Sequence, residues 1–520
     1  MRTARLRAIA ALVGGAVFAT TSPPIDVHAG VLVGMVVLAA ALLHEDRPRM
    51  RYGAWLGWLF GLGANLVALR FVPPVILRFT PLPAVAAYLA LVLVAAFQGI
   101  PWAIAGAIAH EVPRRTPVPR WLGFGVGVYA ATFAPSVFPW TPVGGLTPWP
   151  MLVQLADMMG ERGVTMLLGC VSGLVARALS RRAHRARDLA VAGGVALVMV
   201  GYGALRTRQI DEVREAAPHA TIALVMPGFD ASDRWEATRA EMMMDRLTSL
   251  TKSAEARGVD LTVWPESAYP FTIPHATRRS PEGHRAFLHP GVRGPVLSGV
   301  YMAGGAHVGY NSAVLVSQSG EVSAPYDKRH LLAFGEAVPF GETFPALKRM
   351  FTKGSALSPG HESIVFVSGA MRIAVLNCFE DTLPEAGVEA MEHGPNLLVN
   401  ITNDAWFVDS PESELHLRLA IVRAIETRRD LARSVNRGPT THVDAAGRVR
   451  ARYDIDIPGS LKAQPALLEL PPTFYVRFGD WPWIALAVGL LLAPAAMARV
   501  RDRAAQNGTG ALRGGERPSA

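Results

Sequence analysis

A chain of 520 residues exceeds the usual size of one domain, and half of it is apolar with only 18% charged, which is unusual for a soluble enzyme and suits a membrane protein with a water-exposed part. The net charge of +9 is not a nucleic-acid footprint, because the arginines sit beside apolar runs rather than along one face of a folded domain. Two cysteines, Cys170 and Cys378, are too few for a disulfide framework.

In chain order, apolar segments recur at Ala8–Thr20, Ala29–Leu43, Tyr52–Val72, Leu82–Ala109, Trp121–Phe138, Val164–Ala178, Leu189–Leu205 and Trp481–Met497, about eight candidate spans. Several fall short of the roughly 20 residues that a crossing helix needs, so they extend into polar flanks or rely on local thinning. The arginines test this count independently. With the N-terminus inside, the inside segments hold Arg2, Arg5 and Arg7; Arg47, Arg49 and Arg51; Arg114, Arg115 and Arg120; Arg177, Arg181, Arg182, Arg185 and Arg187; and Arg499, Arg501 and Arg503. The short outside loops hold little more than Arg78 and Arg162, which is the positive-inside pattern.

The long segment from about Arg206 to Asp480 is then expected outside the cytoplasm and the C-terminal tail inside it. Met1–Ala29 also resembles a secretory signal ending in Val27-His28-Ala29; retention as a span is the preferred reading, and cleavage leaves the orientation unchanged. Cys170, inside GVTMLLGCVSGLVA, reads as a small buried hydrophobe.

Between Thr221 and about Leu470 the texture becomes that of an α/β domain. Strands are predicted at Thr221–Val225, Val259–Val263, Pro295–Val300, Ser312–Val316, Arg372–Leu376 and Asn396–Ile401, where β-branched residues run together. Helices are predicted at Glu236–Ala256 and Glu412–Leu431, the second with Leu415, Leu419, Val422 and Ile425 on one stripe. Ser319-Gly320 marks a hairpin turn.

The expected organisation is a membrane domain over residues 1–206, a catalytic domain over 207–478, a final span over 479–499 and a disordered tail over 500–520 rich in glycine.

Three strand ends place an ionisable residue just past an apolar run, where sheets present groups to sites. LTVWPESAYPF sets Glu266 beside Trp264 and Pro265, surroundings that suit a general base. YDKRHLLAFGEAVPF carries Lys328, a fixed charge for an oxyanion, and Glu336, which orients it or shapes the site. His330 reads as a structural hydrogen-bonder, since no second His or Cys stands at metal spacing; neither metal nor cofactor is expected.

RIAVLNCFEDTLPE sets Cys378 at the turn into a predicted helix, where helix-terminal N–H groups and a neighbouring Lys give a thiol thiolate character. Taken singly, each has an ordinary reading as a solvated loop Glu, a surface Lys or a small buried thiol. An unpaired thiol in an oxidising compartment favours reactivity.

Together, in this order and spacing, the three motifs resemble the nitrilase superfamily, whose sites pair a Glu base, a Lys and a Cys nucleophile on an α-β-β-α sandwich. More narrowly, the chain resembles the apolipoprotein N-acyltransferase family, with seven spans, an outside nitrilase-like domain and a last span. WPESAYP, YDKRHLLAFGEAVPF, NCFED, and NITNDAWF followed by His416, Arg423, Glu426, Arg433, Ser434 and Asn436 carry this likeness. QLADMMGERG (Gln154–Gly163) and SDRW (Ser232–Trp235) add to it.

The resemblance implies a polytopic helical membrane domain joined to a nitrilase-like α/β sandwich, in a bacterial inner membrane with the catalytic domain periplasmic and both termini cytoplasmic. It implies transfer of an acyl chain from a phospholipid, through a thioester on Cys378, to the α-amine of a diacylglyceryl-cysteine lipoprotein. Glu380, Glu336, Phe379 and Trp235 are expected to support the site, Trp235 as a lid contact.

The departures are VMPGFD after the first strand, which places Met226 and Gly228 where the family has Gln and Asn; Phe379 where many members have Tyr; and Ala333 where Pro is frequent. They bear on substrate range. Two other readings stay open, a membrane-tethered amidohydrolase and a non-catalytic scaffold assisting a glycosyltransferase.

Overall fold

The computed structural model describes residues 2–43, 49–305, 308–333, 335–337, 343, 357–490 and 492. The N-terminal part is helical: α1 (Arg2–Phe18), α2 (Gly30–Leu43), α3 (Met50–Ala68), α4 (Val72–Phe79), α5 (Ala84–Phe97), α6 (Ile100–Arg115), α7 (Arg120–Ala131), α8 (Pro142–Leu146), α9 (Ala156–Ser180) and α10 (Arg185–Ala216).

Four helical stretches among the described residues are long and apolar enough to cross a bilayer, and five if the bent pair α3–α4 counts as one. The other expected spans fall on shorter helices, α2, α7 and Trp481–Leu490. The rest of the last span, apart from Leu492, and the expected tail lie outside the described residues.

These helices pack through small residues, as helices must where no water drives them together. A Cβ on Gly53 would meet the Gly106 carbonyl, and one on Gly106 the Gly53 carbonyl, so α3 and α6 touch backbone to backbone. Cys170 lies against Gly125 of α7, as its reading as a packing residue anticipated.

Helix α10 runs 32 residues and feeds directly into the sheets. One sheet holds β1 (Ile222–Met226), β2 (Leu261–Val263), β3 (Thr272–Pro274), β4 (Val296–Ala303), β5 (Gly309–Val316), β6 (Tyr326–Asp327) and, pairing with β1, β13 (Gly459–Ala463). The other holds β7 (Val365–Ser368), β8 (Met371–Asn377), β9 (Leu397–Asn403), β10 (Leu431–Asn436), β11 (Thr440–Val443) and β12 (Val449–Tyr453). All six predicted strands form, and Gly320 turns the predicted hairpin with φ +79.

Ile222, Leu224, Val263 and Leu297 of the first sheet pack against Ile373, Val375, Val399 and Ile401 of the second. The outer face of the first sheet is covered by α11 (Ala240–Glu255) through Met243, Met244 and Leu247. That of the second is covered by the helix Glu412–Thr427. The layers are therefore α-β-β-α.

The second covering helix stops at Thr427, short of the predicted Leu431. Arg428 turns left-handed at φ +52, and Leu431 opens β10. From Ser413 to Thr427 every residue except Glu414 is buried, not only the predicted stripe. Leu419 of its apolar stripe packs on Gly144 of α8, Ile421 and Ile425 pack on Gly447 on the sheet side, and the helix shares one core with the sheet and the membrane helices.

Its charged residues are paired across that junction. Arg418 reaches Asp26 at 2.6 Å and Arg423 reaches Glu161 at 2.7 Å. Beyond the helix, Arg428 reaches Asp157 at 2.8 Å and Gln154 at 2.7 Å. The QLADMMGERG segment thus supplies the anchor residues of the membrane side, Gln154, Asp157, Glu161 and Arg162, the last bridging Asp480 at 2.6 Å and Glu385 at 2.5 Å.

Candidate active site

Glu266 follows β2 and lies against β4, where Gly299 makes room: a Cβ there would strike Glu266 and Ser267 backbone. Arg234 of the SDRW segment fixes the same loop, donating to the Ser267 and Tyr269 carbonyls at 2.7 Å each. Its guanidinium stacks 4.0 Å above Tyr301. Trp235 closes the short helix Asp233–Trp235, and its side chain lies outside the described residues.

Lys328 follows β6 and is 1% exposed. Its ammonium stands 2.7 Å from Glu336 and 3.3 Å from Glu266. Burial would lower its pKa, but the two carboxylates outweigh it and hold it well above the usual lysine range. Burial likewise pushes Glu336 up, and Lys328 with the Leu332 N–H more than offsets it, so Glu336 sits below the usual carboxylate range. Among the described residues, two carboxylates partner the three ammonium protons.

Asn311 of β5, a residue that sequence reasoning missed, links the two acids. Its Nδ2 donates to Glu266 Oε1 and to Glu336 Oε1 at 2.7 Å each. Asn377 donates in turn to Asn311 Oδ1 at 3.2 Å. A polar residue buried within the strand run YNSAVLV was the available signal.

Cys378 follows β8 with φ +53, a left-handed conformation that costs a non-glycine residue roughly 1–3 kcal/mol and recurs at functional sites. The predicted helix follows at Pro384–Glu389, and the turn into it is a five-residue 3-10 helix. Glu380 closes it. Its buried carboxylate accepts from the Asn377 N–H (2.8 Å), the Arg329 N–H (2.7 Å), the His330 N–H (3.1 Å) and the Tyr326 hydroxyl (2.8 Å), tying the lysine loop to the nucleophile turn.

The expected thiolate character needs correction. Burial pushes the Cys378 thiol well above its usual range and the Glu266 charge adds to this, with Lys328 opposing. The resting thiol is protonated and needs a base, and Glu266 is the acidic group acting most strongly on it. Phe379 is half-buried beside it. His330 donates or accepts at Glu389, 2.8 Å away, as a structural residue.

Behind Cys378 lies a second buried network. Arg433 pairs with Asp381 at 2.5 Å and Asp404 at 3.2 Å, and His416 contacts Asp381 through Nε2 (2.8 Å) and Asp404 through Nδ1 (3.2 Å). Burial would lower the His416 pKa, but Asp381 and Asp404 raise it to about 10.

Asp404, Glu412 and His416 are close enough to hold a metal ion. Both His416 ring nitrogens already face carboxylates, and an imidazolium offers no lone pair to a cation, so this donor set is a hydrogen-bond network.

Met226 and Gly228 of the VMPGFD segment line a cavity of about 380 Å³ together with Phe407, Ser413 and Gly438. Asn436 pins that segment, accepting from the Phe229 N–H at 2.8 Å.

A thiol, an ammonium and two carboxylates gathered at the strand ends of paired sheets define a carbon–nitrogen hydrolase type of domain, and residues 222–456 match the family described as Carbon-nitrogen hydrolase. Residues 14–174 match the one described as Apolipoprotein N-acyltransferase N-terminal domain.

The apolipoprotein N-acyltransferase of Brucella melitensis biotype 1 is 30% identical over 523 residues, 94% of each chain. That of Geobacter metallireducens is 28% identical over 481 residues, 89% of this chain and 91% of its own. A solved mutant of an amidase from Nesterenkonia sp. AN1 is similar over 51% of this chain and 98% of its own, at 19% identity and a TM-score of 0.38. The chain belongs to the apolipoprotein N-acyltransferase family.

Proposed function

We propose that this chain is an N-acyltransferase that moves an acyl chain from a phospholipid to the α-amine of a diacylglyceryl-cysteine lipoprotein, through a thioester on Cys378. The observation that carries this reading is the convergence of Glu266, Lys328 and Glu336 on a protonated Cys378, in a domain whose covering helix is built into apolar helices. Glu266 takes the thiol proton and the thiolate attacks the ester carbonyl. The third Lys328 proton and the Phe379 N–H hold the oxyanion.

The C–O bond breaks and Glu266 returns its proton to the departing lysophospholipid. The acceptor amine then attacks the thioester, its proton passes to Glu266, and Cys378 leaves as the thiol. The decisive experiment replaces Cys378 by Ala and weighs mature lipoproteins. If they still carry the N-linked acyl chain with no second enzyme present, the assignment is wrong. If phospholipid vesicles fail to acylate Cys378 of the native chain, a membrane-tethered amidohydrolase is favoured instead.

The proposed topology has seven spans within residues 1–206, an extracytoplasmic catalytic domain over 207–478, a last span over 479–499 and cytoplasmic termini in a bacterial inner membrane. The arginine asymmetry supports it. Reporter fusions at residues 117 and 280 test it: the first is expected to report cytoplasm and the second periplasm.

A further inference from the structure

Between α3 and α4 the chain bends by 54°, and the bend walls a cavity of about 410 Å³ with Pro24, Phe71 and Val75. The opposite wall is residues 408–411 of the catalytic domain. Two guanidinium groups line this cavity, those of Arg70 and Arg78. Arg70 donates through Nη1 to Ser22 Oγ at 3.1 Å and the Val67 carbonyl at 2.8 Å, while its Nη2 is buried with no hydrogen-bond partner.

Asp26, whose charge acts on Arg70, is already held by Arg418 at 2.6 Å. Arg78 stands 3.8 Å from Asp409, with both side chains well exposed, a contact that contributes little. Arg70 as a whole is half-buried, but a buried donor with no partner is costly, and a pair of guanidinium groups matches the fork geometry of a phosphate.

Next in the chain after Arg78, Phe79 ends α4, and Phe79, Leu82 and the α5 residues Val85 and Leu89 are exposed and apolar. An occupant that satisfies both features is a phosphodiester with acyl chains attached. The cavity is also coupled to chemistry by a single loop. Asp404, in the network behind Cys378, begins the stretch whose Phe407 packs on Phe71 at 5.8 Å and whose Trp406 packs on Phe79 at 4.8 Å before residues 408–411 line the wall.

We propose that this cavity binds the headgroup phosphodiester of the phospholipid acyl donor, with Arg70 and Arg78 as its anion ligands. The proposal rests on the acyl-transfer reading above and names the donor subsite of that reaction.

The test uses the full chain in mixed micelles titrated with dioleoylphosphatidylglycerol, reading acyl-Cys378 by intact mass. In R70Q/R78Q the donor concentration at half-saturation is expected to rise about tenfold or more, the effect of losing charge-assisted hydrogen bonds. The maximal extent of acylation is expected within about twofold of wild type, and R70K/R78K to recover most of the loss. Dioleoylglycerol, which lacks the phosphate, is expected to serve wild type and variant alike.

An unchanged half-saturation in R70Q/R78Q, or an equal loss with dioleoylglycerol, overturns the site. So does competition by inorganic phosphate at concentrations equal to the lipid, which would mean a free-phosphate site. If R70Q/R78Q loses its folding transition, R78Q carries the test, because that side chain is half-exposed. Wild-type chain that never acylates Cys378 overturns the underlying reading as well, an outcome distinct from an insensitive R70Q/R78Q.

Discussion

The Lys328 ammonium lies 2.7 Å from the Glu336 carboxylate, and closer to it than to Glu266. One buried cation therefore holds two acids, and burial of the nearby thiol, with the Glu266 charge adding to it, keeps that thiol protonated until Glu266 receives its proton. Lys328→Met leaves both acids unpaired. We expect a loss of about 3–5 kcal/mol in folding stability and of roughly a hundredfold or more in Cys378 acylation. K328M/E336Q is expected to recover much of the stability and none of the acylation, read by thermal unfolding and intact mass.

Asn311 predicts a different pattern. Its amide donates to both acids, so Asn311→Asp places a third carboxylate among them at nearly unchanged volume. Acylation is expected to fall about tenfold to a hundredfold, while Asn311→Gln, which keeps the donor but lengthens the arm, falls less. Single-turnover acylation rates of the two variants distinguish loss of the donor from loss of shape.

The His416 pair with Asp381 and Asp404 sets a pH dependence. Its folded-state pKa of about 10 lies above the usual 6.5 of an imidazole, so its stabilisation is fully present below about 6.5 and is lost as pH rises towards 10. Within that window stability falls by at most about 1.4 kcal/mol per pH unit from this group. His416→Asn is expected to flatten the slope of unfolding free energy against pH between 7 and 10. An unaltered slope would refute the assignment.

Arg423 and Glu161 join the catalytic domain to α9 with both side chains buried. Arg423→Met is expected to cost about 3–5 kcal/mol because it strands Glu161 and Glu426, and adding E161Q should return part of it. A double-mutant cycle on thermal unfolding measures that coupling.

The sandwich was legible because its strands carry β-branched runs, and Glu266, Lys328 and Cys378 stood out because each lies at a strand end. Asn311 was hidden, since a polar residue inside a strand run gives no hint of which acids it will face across the sheet. β10 was hidden for a related reason. Arg433, Ser434 and Asn436 make Leu431–Asn436 look polar, although all six residues are buried, their polar groups paired with the opposite sheet and the network behind Cys378. The thiol protonation was misjudged because the sequence does not show how fully Cys378 is enclosed, and burial with the Glu266 charge beside it outweighs Lys328. The helix Glu412–Thr427 read as amphipathic and is buried nearly all round, because its polar side meets partners far away in sequence.

That last helix decides how separable the two halves of the molecule are. Cutting the chain at Ala217 to obtain a soluble enzyme would leave Arg418 and Arg423 without Asp26 and Glu161, and would open to water the face on which Leu419 packs against Gly144. The excised fragment is expected to aggregate, and the catalytic half to be obtainable only with its bilayer helices attached.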